Sequence, residues 1–319
     1  LTYELLIQNG NNVFQPVVQD GVQWTTERKG SPSRLKFSVV KDEIINFTEG
    51  NAVRLRVDGK NVFYGFIFSK KRDKQQIIDV TAYDQLRYLK NKDTYVYTNK
   101  TASDVIRMVA SDFRLNLGPI ESTSFVIPSR VEDNQTMLDI IQNALDLELT
   151  NRKNIYVLYD DFGLLSLKSL EQLKVGILVD EETGENFDYT SSIDDATYNK
   201  IKLSRENDTT GKRDIYIAQD SENINAWGIL QYFDTLQDGE DGAAKADALL
   251  SLYNMKTRKL KITKALGAVQ VRAGSMLVVN LDLGDMKVMN RMLVEKAVHT
   301  FNKDEHSMDL TMRGGEFIG

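Results

Sequence analysis

Two histidines, His299 and His306, are the chain's whole stock of imidazole, and it has no cysteine. Without thiols there is no disulfide framework, no thiolate metal centre and no cysteine nucleophile. A zinc site on the two histidines would have to recruit Glu295, Asp304 or Glu305. Their spacing of seven matches no zinc motif, and no His-Glu-x-x-His run occurs. The two rings are expected to flank a turn between strands, in structural or solvent roles. Neither a metal nor a cofactor is expected.

Paired carboxylates are the next candidates: Asp160-Asp161, Asp194-Asp195, Asp234 with Asp238, and Glu240-Asp241. Glycoside hydrolysis needs two carboxyl groups facing each other across a cleft, roughly 5 to 9.5 Å apart. Every pair falls in an expected turn, where Asp serves the backbone of the turn itself. No G-x-G-x-x-G, Walker A or G-x-S-x-G run is present; Gly239, Gly242 and Gly314-Gly315 are isolated or terminal. The densest basic cluster, Lys70-Lys71-Arg72 with Lys74, sits between two strands as a solvated hairpin tip or a contact for an acidic partner. Tyr95-Val96-Tyr97 and Trp227 through Tyr232-Phe233 have the makings of a sugar platform, but such aromatics more often fill β cores or interfaces. No catalytic residue is assigned, and the chain is expected not to be an enzyme.

The elements that position these residues are mostly strands. At 319 residues the chain has room for two or three domains, and 41% apolar residues suffice for real cores. The formal charge of −6 disfavours nonspecific adhesion to nucleic acid. No apolar run reaches the roughly 20 residues that span a bilayer, so membrane insertion is not expected. The opening Leu1-Thr2-Tyr3-Glu4-Leu5 has neither the basic start nor the apolar core of a signal peptide.

One β-rich pattern occurs twice. The first copy runs from Gly50 through Val53-Arg54-Leu55-Arg56-Val57-Asp58, Phe63 to Phe68, and Ile77 to Tyr83. The second runs from Gly274 through Val279, Met292 to Val298, and Ser307 to Arg313. Each is a strand starting at Gly, a second strand after a turn, and a third ending in alternation; the residues themselves hardly match. Asp58-Gly59 between apolar segments predicts a hairpin. Thr101-Ala102-Ser103-Asp104 resembles a capping box that opens a helix, and a second helix is expected from Thr136 to Leu149. The expected organisation is mainly β with α+β. A first β domain covers 1–92, an α+β module 93–175, and a second β domain 176–319 with one amphipathic helix at about 243–255. Residues 176–195 are expected to be an acidic loop, a solvated surface or an interface that meets a basic partner.

Taken in order, these parts resemble the baseplate hub proteins of contractile phage tails, tail-like bacteriocins and defective prophages of Gram-positive bacteria. The markers are the Gly50-to-Tyr83 block with Ala82-Tyr83-Asp84, the helix starting Thr101-Ala102-Ser103-Asp104-Val105-Ile106, and the module from Thr136 to Gly163. The last is the run from Arg258 through Ala273-Gly274-Ser275 to His299. None is a catalytic signature. The resemblance implies two tube-type β-barrel domains flanking the α+β module. It also implies a homotrimer whose six β domains form a pseudo-sixfold ring between a hexameric tail tube and a threefold spike or needle, near a peptidoglycan-binding tail protein. The place of action would be the baseplate of a virion or tail-like particle, assembled in the bacterial cytoplasm. DNA crossing the lumen would not be bound specifically. Rival readings are a cell-wall hydrolase and a carbohydrate-binding receptor-recognition protein. Within the ring, the polar strand faces Arg54, Arg56, Asp58 and Asp309, Thr311, Arg313 are the candidates to line the lumen or the subunit contacts.

Overall fold

A computed structural model describes residues 1–194, 196–207, 211–236, 240–284 and 287–314. The N-terminal strands follow the alternation of the sequence. β1 (Tyr3–Asn9) turns at Gly10 into β2 (Asn12–Phe14), followed by β3 (Val22–Glu27), β4 (Arg34–Val40), β5 (Ala52–Val57), β6 (Lys60–Arg72) and β7 (Ile77–Tyr83). Asp58 and Gly59 both take positive φ, 47° and 76°, as a two-residue type I′ turn requires. Alternate residues of β4 and β5, such as Leu35, Phe37, Leu55 and Val57, meet in one core with Trp24 and Ile67. Each such side chain contributes roughly 1.5–3 kcal/mol by leaving water. Asp84 ends the block: its carboxylate accepts from Leu86 N and caps the 3-10 turn Gln85–Lys90.

The middle segment comprises β8 (Lys92–Lys100), α1 (Ala102–Asp112), β9 (Leu117–Ile120), β10 (Ile127–Thr136), α2 (Met137–Arg152), β11 (Tyr156–Asp160) and β12 (Leu165–Ser169). Thr101 and Asp104 form the reciprocal capping box of α1. Thr136 caps α2, and Lys153 ends it in the left-handed conformation. The inward face of α2 is the expected one, with Met137, Leu138, Ile140, Ile141, Ala144 and Leu145 all buried. The β8–β10 ribbon and the parallel pairing of β12 with β9 carry no local sequence signal.

The remaining elements are β13 (Lys174–Val179), β14 (Asn186–Ser192), β15 (Lys200–Asn207), β16 (Lys212–Gln219), α3 (Ser221–Trp227), β17 (Gln231–Thr235), α4 (Gly242–Tyr253), β18 (Thr257–Leu266), β19 (Met276–Asp282), β20 (Lys287–Phe301) and β21 (His306–Gly314). The acidic loop expected at 176–195 is corrected here: most of it is the end of β13 and the whole of β14. Phe187, Tyr189 and Thr190 favour strand, and the edge of β18 supplies the hydrogen bonds. Between β14 and β18 the chain makes a separate excursion. β16, β15 and β17 form a small sheet under α4, with its own core of Ile201, Leu203, Ala218, Leu236, Ala246 and Leu249. Among the described residues no helix is long and apolar enough to cross a membrane.

Among the described residues thirteen strands join in one sheet, ordered β14-β18-β21-β20-β3-β4-β7-β6-β5-β1-β2, with β19 beside β20 and β13 beside β19. Two separate cores lie along it, one N-terminal and one built from residues such as Leu260, Leu277, Val294 and Met312.

The repeated pattern is a repeated structure. β5-β6-β7 and β19-β20-β21 are both antiparallel meanders. Each starts at a glycine of positive φ, 85° at Gly50 and 96° at Gly274. Gly50 N donates to Ile67 O and Ile67 N to Asn51 O; Gly274 N donates to Val294 O and Val294 N to Ser275 O. The register then slips by one residue directly after Ile67 and directly after Val294. The likeness extends outward: β4 pairs with β7 as β18 pairs with β21, and β3 pairs with β4 as β14 pairs with β18.

The two glycines differ in surroundings. A Cβ on Gly50 meets open space, whereas one on Gly274 lies 2.7 Å from Val157 Cγ1. Gly50→Ala is therefore expected to cost about 1–2 kcal/mol through its left-handed backbone alone. Gly274→Ala should cost a further ~1–3 kcal/mol of overpacking. Urea unfolding of the two variants measures the difference; equal costs would mean Val157 moves freely.

Candidate assembly interface

The halves of the molecule meet where β20 outruns its hairpin partner. Its first part pairs with β19; from Lys296 to Phe301 it pairs with β21 on one side and with β3, antiparallel, on the other. Alternation sends Ala297, His299 and Phe301 inward, and Phe301 belongs to the N-terminal core. One end of this seam is fastened by charge. Arg28 donates to the Glu295 carboxylate through Nε (2.8 Å) and Nη2 (2.9 Å), and its backbone N donates to Glu295 O. Arg313 Nε lies 3.3 Å from the same carboxylate, and Lys296 pairs with Glu27 at 2.9 Å. The hydrogen bond from Lys296 holds the Glu27 carboxyl below its ordinary range. A bidentate guanidinium on a half-buried carboxylate is among the stronger ionic contacts.

The other end is fastened by the two histidines. His299 is fully buried, tilted against Trp24 and stacked on Phe301. Its Nε2 lies 2.9 Å from Val271 O, a carbonyl that can only accept, so the proton sits on Nε2. The bare Nδ1 then accepts from His306 Nε2–H at 2.9 Å. The rings flank the β20–β21 turn as expected, but they are hydrogen-bonded to each other, His299 buried and His306 half-buried.

The repeated halves leave two counterparts of this seam open. β6 pairs with β5 up to the Ile67 contact and with β7 beyond it. Residues Ser69–Arg72 correspond to the part of β20 that holds β3, yet among the described residues no strand lies on that side. β14, the counterpart of β3, holds β18 on one edge and nothing described on the other.

The other sequence candidates fall as follows. Arg54 and Arg56 are half-buried on the polar face of β5; Arg56 Nε donates to Asn61 Oδ1 at 2.9 Å and lies 3.8 Å from Glu4. Asp58 sits in the type I′ turn and accepts from Thr2 N. Asp309 is exposed and accepts from Lys264 N, Thr311 is half-buried, and Arg313 belongs to the Glu295 cluster. The structure thus splits these residues between strands of the two halves. Asp160 is buried, accepting from Gln85 Nε2 (2.8 Å) and Gly163 N (2.6 Å), a brace and turn cap. Asp241 caps α4, and Glu240 pairs with Lys245. Asp195, Asp238, Gly239 and Gly315 lie outside the described residues. Of the aromatic candidates, Tyr97 is buried, and Tyr232 packs with Tyr198 and Tyr253 at ring separations of 5.3 and 5.9 Å.

A further buried group has no local signal in the sequence. Arg272 lies 4.0 Å over the Tyr159 ring and donates to Asp160 O at 3.0 Å. Asp84 is buried close by and accepts from Ser33 N. Burial, and then the charge of Asp160, push the Asp84 carboxyl well above its usual range. Ala273 N donates to Thr26 Oγ1 at 2.8 Å, so the same knot reaches β3.

The histidine pair sets a pH dependence. Burial first, then the neighbouring His306, lowers His299 from 6.5 to about 3; burial lowers His306 to about 4. The unfolded chain takes up these protons near 6.5, so stability falls as pH drops below about 6.5 and the loss levels off near the folded values. For His299 this amounts to about 2 kcal/mol between pH 7 and pH 5, at roughly 1.4 kcal/mol per pH unit. Urea unfolding at the two pH values measures the loss, and ring shifts in NMR should show His299 still neutral at pH 5. A ring that titrates near 6.5 in the folded protein would refute the assignment.

The sequence profile of the YqbQ-like family matches residues 22–313. The protein XkdQ of the phage-like element PBSX of Bacillus subtilis is 31% identical over 307 residues, 92% of each chain. The fold matches the 43 kDa tail protein of prophage MuSo2 from Shewanella oneidensis, with a TM-score of 0.72 at 12% identity, over 97% of this chain and 98% of that one. It also matches a tail protein from Neisseria meningitidis MC58, with a TM-score of 0.73 at 10% identity, over 99% and 98%. The two open strand edges therefore belong to a chain with the fold of prophage tail proteins, and by sequence this chain is a member of the YqbQ-like family.

Proposed function

We propose that this chain is the structural hub of a contractile tail or tail-like particle. Three copies form a ring, each giving two barrel-type halves, one at each end of the chain with the α+β module between them. The ring presents six similar β units to a hexameric tail tube and threefold symmetry to a spike or needle; a peptidoglycan-binding tail protein is the expected further neighbour. The observation that carries this reading is the repeat: two meanders with the same glycine start, hydrogen bonds and register slip. Cyclic threefold symmetry turns such a doubled chain into a near-sixfold surface. The polar faces of β5 and β21, with Arg54, Arg56, Asp58, Asp309, Thr311 and Arg313, are the proposed walls of the lumen or of subunit contacts. The chain as a whole carries a net charge of −6, which disfavours holding DNA by counterion release. The work is mechanical: capping the tube, seeding its growth and passing on the contact between tube and spike in the baseplate, after assembly in the bacterial cytoplasm.

A non-enzymatic role agrees with the fate of the carboxylates. Asp160 is spent on a buried brace, and Asp241 on a helix cap. Light scattering should give three times the chain mass, and particle averages should show a ring with a central hole. A strictly monomeric chain would refute the hub reading. Clearing of peptidoglycan in a zymogram would favour a cell-wall hydrolase instead.

A further inference from the structure

We infer which edges join the copies. Ser69–Arg72 at the end of β6 in one copy adds, antiparallel, to the open edge of β14 in the next, with Ser69 opposite Ser192, Lys71 opposite Thr190 and Arg72 opposite Tyr189. This rests on the ring proposed above and names the joint that closes it.

The register comes from the molecule's own seam. Lys296 opposite Glu27 and His299 opposite Trp24 fix how β20 holds β3. The repeat matches Ser69 with Lys296, since each faces a threonine, Thr81 or Thr311, one step past the slip. It matches Ser192 with Glu27 through the pairings of Thr190 with Lys259 and Thr25 with Arg34. Both edges are exposed along most of their length. An exposed, unpaired strand edge is a template for another strand, and a ring of three copies pairs both of these edges in every copy.

The chemistry of the edges selects the partner. Where the internal seam sets Arg28 against Glu295, the corresponding residues of the open edges are Ile193 and Phe68, so an apolar contact replaces the ionic one. Phe68 is half-buried and already leans on Tyr83, with ring centroids 5.5 Å apart. The β6 edge carries Lys70, Lys71 and Arg72; Asp73 follows, capping the turn by accepting from Ile77 N, and then Lys74. The β14 edge carries Asp188, diagonal to Lys71 in this register, with Glu185 before it. Pairing β6 with a second β6 would oppose like cations, and β14 with β14 like anions, each destabilising. The cationic β6 edge matches the β14 edge better than it matches a second β6, which favours a head-to-tail contact, the kind a ring of three copies needs, over a twofold dimer.

Because the chain has no cysteine, introduced thiols are the only ones present. Lys71→Cys with Thr190→Cys, both at exposed positions, should oxidise to a covalent trimer on a non-reducing gel, while Lys71→Cys with Asn186→Cys should not. Lys71→Glu with Arg72→Glu should weaken self-association by roughly tenfold or more, and Asp188→Lys should restore part of it. Unchanged association after the charge reversal overturns the joint. If the double variant Lys71→Cys with Thr190→Cys is trimeric in light scattering but forms no disulfide between copies, the joint is overturned and the ring is kept. A chain monomeric at every concentration overturns both.

Discussion

One buried cation holds the molecule together. Arg272 leaves the C-terminal half, stacks on Tyr159 of the middle module and donates to the backbone of Asp160, with Asp84 of the N-terminal block beside it. Burying a guanidinium and two carboxyl groups is costly. Both carboxyl groups are hydrogen-bonded, while the guanidinium has Asp160 O and the Tyr159 ring, and its Nε is buried without a hydrogen-bond partner among the described residues. Asp84 takes Ser33 N and Leu86 N, and Asp160 takes Gln85 and Gly163. The bonds from Ser33 and Gln85 fix one element against another, and those from Leu86 and Gly163 cap local turns. Loss of one partner would strand the others in a dry site, so this knot adds to the β3·β20 pairing and the Arg28–Glu295 contact in placing the three parts.

The β3·β20 seam depends on that placement. With the halves held at a set angle, β20 runs past its own meander and becomes the neighbour of β3. The seam is wholly internal, but the repeat makes it a pattern for contacts elsewhere on the same sheet. A chain carrying the same meander twice has, in effect, solved one packing problem and used it again. The copies differ at this point: Glu295 in one corresponds to Phe68 in the other, and Arg28 to Ile193, so an ionic pair in the seam corresponds to apolar residues at the open edges.

What can be read from the sequence is what is local. Alternation in β4 and β5, the Asp58-Gly59 turn, the box at Thr101 and the inward face of α2 depend on neighbours a few residues away, and the structure has them where expected. β14 is hidden because both of its faces are largely exposed, so its composition resembles a loop. The small sheet of β15, β16 and β17 is hidden because periodicity finds strands and does not say which core they join. The histidines flank a turn as expected, but their mutual hydrogen bond depends on a fold that brings Val271 and Trp24 around them. Arg272 is invisible: nothing next to it in the chain announces that carboxyl groups from two other segments will surround it. The candidate faces at Arg54 and Arg313 are visible as alternation, whereas the open edges of β6 and β14 emerge only when the two meanders can be laid over each other.

The seam also dictates an order of events during synthesis. The ribosome releases Val22–Glu27 early, but the strand that covers them is the second last in the chain, and the N-terminal core lacks Phe301 until then. Contacts between such distant positions form late. A nascent chain therefore waits with an unfinished first half until β20 has emerged, and a product cut short before β20 lacks the strand that ties the two halves together. Synthesis through β20 is thus a condition for the complete N-terminal core, which no product stopping short of that strand can build.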